Sequence, residues 1–456
     1  MNNPPIDWRL TPGFMLPSHP SGEMAHVFLG HFLSSKRARC PFLEKPIIQP
    51  GDRFDWGQSH PLEKVIHSRA DLDRLLINPS LLKNSIAIIE PWQNVGINDR
   101  GEAVRASLNV AYIAQRIADM DSVLYPVWSS GVFDQERLAS TISSAAAYVV
   151  EGGDPSTYDP STWTSPVCSQ TDMFNLVESL ILSRHPMSAA GIFICVGHQL
   201  AAEAHIRLIR RAVTEIERLD RLPIDPDQFV LNALKITAAH IRATGESLNI
   251  IKHDGRVAAS NWNAPEFSVT RNEDKECGIR RLLPYESPKG KSGSIPWELI
   301  QAHAVSADEH DGVIDTNIAY ESELHIAMFH SDEVNEEAIL FANWAYQMLH
   351  DAILPDRSLV AASPLHWLIQ LPDSVEILAS TADEKGDIVT ECAATCINYK
   401  DYETKTIRRS FTCQFHPELF EDLRAIGLTD PPSYQSLNRD DGVRLFVRLL
   451  HAALGE

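Results

Sequence analysis

A thiol, an imidazole and a carboxylate stand in this chain in settings that suit nucleophilic attack on an acyl group. Cys195 ends the apolar run Gly191-Ile192-Phe193-Ile194, and the chain then passes through Val196-Gly197-His198 into a helix-like stretch at 199–211. A cysteine on a sharp strand-to-helix turn presents its thiol outward, and the helix N-terminus favours the thiolate. Far downstream, Phe411-Thr412-Cys413-Gln414-Phe415-His416-Pro417-Glu418 supplies a histidine and a carboxylate two residues apart. Side chains alternate along an extended segment, so His416 and Glu418 share a face. Pro417 stiffens the link between them and marks the end of a strand or the edge of a site, because proline is disfavoured inside a sheet. Each residue alone has a plainer reading: a buried structural cysteine, a packed histidine, a solvated glutamate. Together they form the nucleophile, base and orienter of a cysteine hydrolase, with Cys195 attacking, His416 taking the proton and Glu418 fixing the imidazole tautomer. The oxyanion formed in such an attack needs preorganised donors. The backbone N–H of Val196, at the start of the helix, is the first candidate and Gly153 the second.

These segments resemble the class I glutamine amidotransferases, whose marks are a Cys-x-Gly-His-Gln nucleophile turn and a late Phe-His-Pro-Glu. Both stand here in that order, at 195–199 and 415–418. Ala147-Tyr148-Val149-Val150-Glu151-Gly152-Gly153-Asp154-Pro155 is similar to the strand and Gly-Gly-Pro turn that precedes the nucleophile in that family. Leu365-His366, followed by 370–380, is similar to the segment ahead of the final histidine. The resemblance implies hydrolysis of the side-chain amide of glutamine, or of a related γ-glutamyl amide, through a γ-glutamyl thioester, with ammonia released and no cofactor. It implies that Gln199 contacts the bound substrate and that His198 supports the turn. It also implies a separate synthetase partner that receives the ammonia, since the chain carries no nucleotide-binding motif of its own for a second half-reaction. The chain departs from the family at Phe193, where glycine is usual, and in reading Gly-Gly-Asp-Pro where Gly-Gly-Pro is commoner. Two other readings stay open: a γ-glutamyl hydrolase or peptidase that cleaves a γ-glutamyl amine or peptide without ammonia transfer, and a non-catalytic binding or regulatory module on the same fold.

Elements that could position these residues follow from the apolar pattern. Ser85-Ile86-Ala87-Ile88-Ile89-Glu90 reads as a buried parallel strand. Val104, Leu108, Ala111, Tyr112 and Ile113 recur at helical spacing, 123–128 reads as a strand and 135–144 as a helix. Strand and helix alternate from 85 to about 213, which predicts an α/β fold. The expected form is a doubly wound, mostly parallel sheet of the flavodoxin-like, amidotransferase type, with ligands at the carboxyl ends of its strands. The expected division is an N-terminal extension at 1–83 with one helix at 68–82, a first part of the domain at 84–213, an insertion at 214–356, and a second part at 357–456. Within the insertion, helices are predicted at 226–244 and 333–354, around a loop-like stretch at 286–294. The domain ends in a helix at 442–454.

Composition sets the outer limits. A chain of 456 residues with 44% hydrophobic content can bury sizeable cores. Its formal net charge of −21 argues against a nucleic-acid or anionic-membrane partner. Seven scattered cysteines do not form a disulfide framework, the N-terminus shows no secretory pattern, and no apolar run is long enough to span a bilayer. A cytoplasmic protein is the expectation, with assembly of identical copies left open. No metal is expected. Cys392 and Cys396 lack a second ligand pair, and His303, Asp308, Glu309, His310 and Asp311 match no ligand spacing. Gly290-Lys291-Ser292 lacks the earlier glycine of a phosphate loop, position 285 being tyrosine.

Overall fold

A computed structural model describes residues 85–89, 122–124, 135–152, 156–157, 159–163, 169–183, 190–219, 229–248, 250–251, 257–258, 268–285, 324–383, 385–401, 404, 406–417 and 442–454. The predicted N-terminal extension, the helical pattern at 104–113, the loop-like stretch 286–294 and the cluster at 303–311 lie outside these residues, as do Gly153 and Glu418.

In chain order the elements are β1 (Ser85–Ile89), β2 (Ser122–Leu124), α1 (Gln135–Ile142), β3 (Ala147–Val150), α2 (Gln170–Leu182), β4 (Ala190–Ile194), α3 (Val196–Arg218), α4 (Phe229–Ser247), β5 (Ile250–Ile251) and β6 (Val257–Ala258). Then come β7 (Val269–Pro284), β8 (Leu324–Val334), α5 (Glu336–Ile353), α6 (Arg357–Ala361), β9 (Ser374–Ala382), β10 (Ile388–Lys400), β11 (Ile407–Cys413) and α7 (Gly442–Leu454). Among the described residues nine strands make one sheet in the order β2-β1-β3-β4-β11-β10-β9-β7-β8, while β5 and β6 pair separately.

The fold is α/β with a mixed sheet. Pairings from β2 through β1, β3 and β4 to β11 are parallel. Those from β11 through β10, β9 and β7 to β8 are antiparallel. The sheet thus begins as the sequence predicts and departs from the mostly parallel expectation in its second half. The reason lies in the connections: five residues join β9 to β10 and six join β10 to β11, too few for the crossover that parallel neighbours need. In β7 the polar run Asn272-Glu273-Asp274-Lys275 interrupts the register with β8. Glu333, predicted as a helix start, is instead the next-to-last residue of β8, and α5 begins at Glu336 after Asn335, whose side chain accepts from the Glu337 N–H.

Strands β1, β3 and β4 are apolar and buried on both faces because helices cover the sheet on each side. Neighbouring residues of β11 show this. The Thr412 hydroxyl meets His198 of α3, while Phe411 lines a small apolar cavity with Leu445 and Leu449 of α7. Successive strand residues point to opposite faces, so α3 and α7 lie on opposite sides. The first turn of α3 is buried, and Gly197 lets it approach β3 closely. A Cβ there would lie 2.5 Å from the Val150 carbonyl oxygen and 3.2 Å from Val150 Cγ1. Since backbone cannot yield as a flexible side chain does, Gly197→Ala is expected to cost about 3 kcal/mol or more of folding free energy. Urea unfolding followed by circular dichroism would measure the loss, and a wild-type midpoint would contradict this account of the contact. No helix among the described residues is long and apolar enough to cross a membrane.

Candidate active site

Three neighbouring parallel strands, β3, β4 and β11, end at the same edge of the sheet. Ile194 pairs with Cys413 across β4 and β11, and Phe193 with Val150 across β4 and β3. The residues just beyond these pairs are therefore thrown together: Gly152 after β3, Cys195 after β4, and Gln414 and His416 after β11. Ligands of open α/β sheets bind beyond the carboxyl ends of strands, which is this place.

Cys195 is the turn between β4 and α3. Its backbone has φ 50° and ψ −108°, and among the described residues no other non-glycine has positive φ. Such a conformation costs on the order of 1–3 kcal/mol and persists only where its surroundings hold it. Here the Cys195 N–H donates to the Cys413 carbonyl at 2.7 Å, and the Cys195 carbonyl accepts from the Gln199 N–H at 3.1 Å. Val196, the first residue of α3, has an N–H that lies at the helix N-terminus, where no intrahelical acceptor exists.

Gly152 lies where Cys195 and His416 meet. A Cβ on it would lie 2.9 Å from Cys195 Cβ and 2.8 Å from His416 Cε1, so the thiol-bearing carbon and the imidazole flank one point. Of the predicted site residues the structure thus joins Cys195, Val196 and His416. Gln199 is on the first turn of the same helix, but its Nε2 donates to the Asp332 carbonyl of β8 at 3.0 Å, and it is almost fully buried. Phe193, the bulky residue at the family's glycine position, is wholly buried and meets Tyr148 edge to face at 5.6 Å. Its ring fills the core beneath the turn.

His198 anchors the turn through a buried chain. Its Nε2 lies 3.0 Å from the Cys392 carbonyl, which can only accept, so Nε2 carries the proton. Nδ1 therefore accepts, and the Thr412 hydroxyl at 2.5 Å donates to it, leaving the Thr395 hydroxyl, 2.5 Å away, to donate to Thr412. Burial holds the His198 pKa down to about 3, which keeps the imidazole neutral. Both adjacent strands β10 and β11 are so tied to the start of α3.

Two residues at the site were not foreseen as functional. One is Gly152, since the oxyanion expectation fell on the neighbouring Gly153. The other is Gln414, wholly buried, whose Nε2 donates to Cys195 Sγ at 3.8 Å. A carboxamide between the buried Cys413 and Phe415, just past the end of β11, was the available signal.

One turn beyond Gln199 on α3, Glu203 is buried and accepts from the Ser268 hydroxyl. Burial pushes its pKa up to about 7 from 4.5, against the opposing pull of Arg210, the Ser268 hydrogen bond and Arg207, with Glu178 adding to the rise. A carboxyl whose folded pKa is raised adds stability that is fully present below pH 4.5 and is lost as pH rises through 7. Glu203→Gln removes that dependence. From pH 5 to pH 8 the variant should gain on the wild type by roughly 3 kcal/mol in urea titrations; a constant difference would contradict the assignment.

Among the described residues no group of three His, Cys, Asp or Glu side chains is arranged to hold a metal ion. Cys392 and Cys396 are buried in β10, and burial raises both thiol pKa values, which suits packing. A scan against protein-family models finds no match for this chain, and a search of curated proteins finds none either.

Proposed function

We propose that this chain is a cysteine amidase of the class I glutamine amidotransferase type, cleaving the side-chain amide of glutamine or a related γ-glutamyl amide. The observation that carries the reading is the meeting of a positive-φ cysteine with an imidazole, across Gly152, at the carboxyl ends of three adjacent parallel strands. In this reading the finer fold assignment follows: the parallel half of the sheet, with helices on both faces, is the amidotransferase-type core.

The chemistry runs as follows. His416 takes the proton of the Cys195 thiol, and the sulfur attacks the amide carbon. The Val196 N–H, with Gly153 as second donor, steadies the oxyanion. His416 returns the proton to the nitrogen, the C–N bond breaks, and ammonia or an amine leaves a γ-glutamyl thioester. Water, deprotonated by His416, then cleaves the thioester, giving glutamate and the restored thiol. Glu418 holds the imidazole in the tautomer this requires. The ammonia goes to a separate synthetase partner or to water. Ammonia and glutamate release from glutamine and from a panel of γ-glutamyl amines, by purified wild type, tests the reading. Release from glutamine supports an ammonia supplier, release from the amines alone a γ-glutamyl hydrolase, and silence on every substrate would count against catalysis.

A further inference from the structure

We propose that Gln414 is a catalytic group of this site, holding the Cys195 sulfur with its amide N–H while its carbonyl oxygen accepts a hydrogen bond from the scissile nitrogen. The consequence is a substrate class: amides that carry at least one N–H on the nitrogen to be expelled. The inference rests on the hydrolase reading above.

Register makes the contact. Because Cys413 pairs with Ile194, the next residue of each segment, Gln414 and Cys195, are lateral neighbours where the strands end. Gln414 has no solvent exposure, and its backbone N–H is committed to the Ala393 carbonyl at 2.8 Å. Its Nε2 donates to Cys195 Sγ at 3.8 Å, whereas its Oε1 is buried with no hydrogen-bond partner among the described residues. A buried carbonyl oxygen left unpaired costs on the order of 1–3 kcal/mol, and leucine would fill the same volume without that penalty. The carboxamide is short and planar, so with Nε2 on the sulfur the unpaired Oε1 stays within one carboxamide width of it, close enough to meet a nitrogen on the acyl carbon under attack.

In the reaction the S–C bond forms as the sulfur's electron pair enters the carbonyl, and the C–N bond breaks as the nitrogen takes the proton held by His416. Until then a primary or secondary amide has an N–H to donate. Given to Oε1, that hydrogen bond turns the nitrogen's developing lone pair away from Gln414 and leaves it to the imidazole. An ester or a dialkyl amide offers no such hydrogen.

The test is Gln414→Leu, with the isosteric Gln414→Glu as second variant, assayed on glutamine and on two probes without the N–H, the γ-methyl ester and the γ-dimethylamide of glutamate. For Gln414→Leu kcat/KM on glutamine is expected to fall about 100-fold, as for loss of one oriented hydrogen-bonding group, and on the two probes by less than about tenfold; Gln414→Glu, which keeps an acceptor oxygen and loses only the N–H on the sulfur, should show no such preference among the three. The thermal midpoint of Gln414→Leu should be unchanged or higher, which a merely structural glutamine would not give. An equal fall on all three substrates in Gln414→Leu, or none, overturns the proposal. A substrate-free arm separates it from the hydrolase reading: iodoacetamide should label Cys195 several-fold more slowly in Gln414→Leu, because the sulfur loses its N–H donor. Unchanged labelling overturns the proposal whether or not the wild type turns over any amide; slowed labelling in a wild type that hydrolyses nothing would keep the Gln414–Cys195 contact and sink the hydrolase reading together with the N–H requirement.

Discussion

Replacing Cys195 by alanine is expected to lower amide turnover by roughly 10⁴- to 10⁶-fold while leaving a folded protein, and His416→Ala should do the same. Both effects follow from one unit of chemistry, so the double variant should be no slower than either single one, as when any part of a nucleophile–base pair is lost. The fold survives because neither change empties a large core volume. Backbone strain offers a second readout. At φ 50° a side chain is unfavourable, so Cys195→Gly, equally inactive, should be about 1 kcal/mol more stable than Cys195→Ala. Turnover assays beside thermal unfolding decide the matter. Unfolded single variants would make these residues structural, and retained turnover would place the chemistry elsewhere.

The second large effect is expected at Gly152. A methyl group there would press within 3 Å of both His416 Cε1 and Cys195 Cβ, and the imidazole is the part able to swing aside. A displacement of about 1 Å between reacting groups costs on the order of 100-fold in rate. Gly152→Ala should therefore lose about that much in kcat, with KM less affected, and about 1–3 kcal/mol of stability from overpacking. Unchanged kcat in a folded Gly152→Ala protein would show that the imidazole does not need its observed position.

How much of this was legible beforehand depended on how local the signal was. Strand β1, predicted at 85–90, forms at 85–89, and the C-terminal helix occupies the predicted 442–454, because a continuous apolar run and a 3.6-residue apolar stripe are local patterns. The helices α4 and α5 lie within three residues of their predicted ends for the same reason. Cys195 and His416 were visible through their own neighbours, and the parallel strands bring them together. What stayed hidden was mostly non-local. Strand β7 is interrupted by the polar run 272–275, and its place in the sheet is set by pairing with β8 and β9, whereas β8 carries buried Leu324, Ile326 and Met328 at alternate positions, a local signal that went unread. Gln414 and Gly152 gained meaning only once β3, β4 and β11 were side by side, because a carboxamide or a glycine carries no sign of what it will face. The tie from Gln199 to the Asp332 carbonyl, likewise, spans 133 residues of chain.

The central claim is that the Cys195 sulfur becomes covalently acylated. The most direct measurement is acid quenching of wild-type protein during turnover of glutamine, or of the best γ-glutamyl amine, followed by peptide mass spectrometry across all seven cysteines. The account predicts a γ-glutamyl thioester on the peptide that contains Cys195, absent from Cys195→Ala; turnover with the adduct on another residue, or undiminished by loss of Cys195, would contradict it.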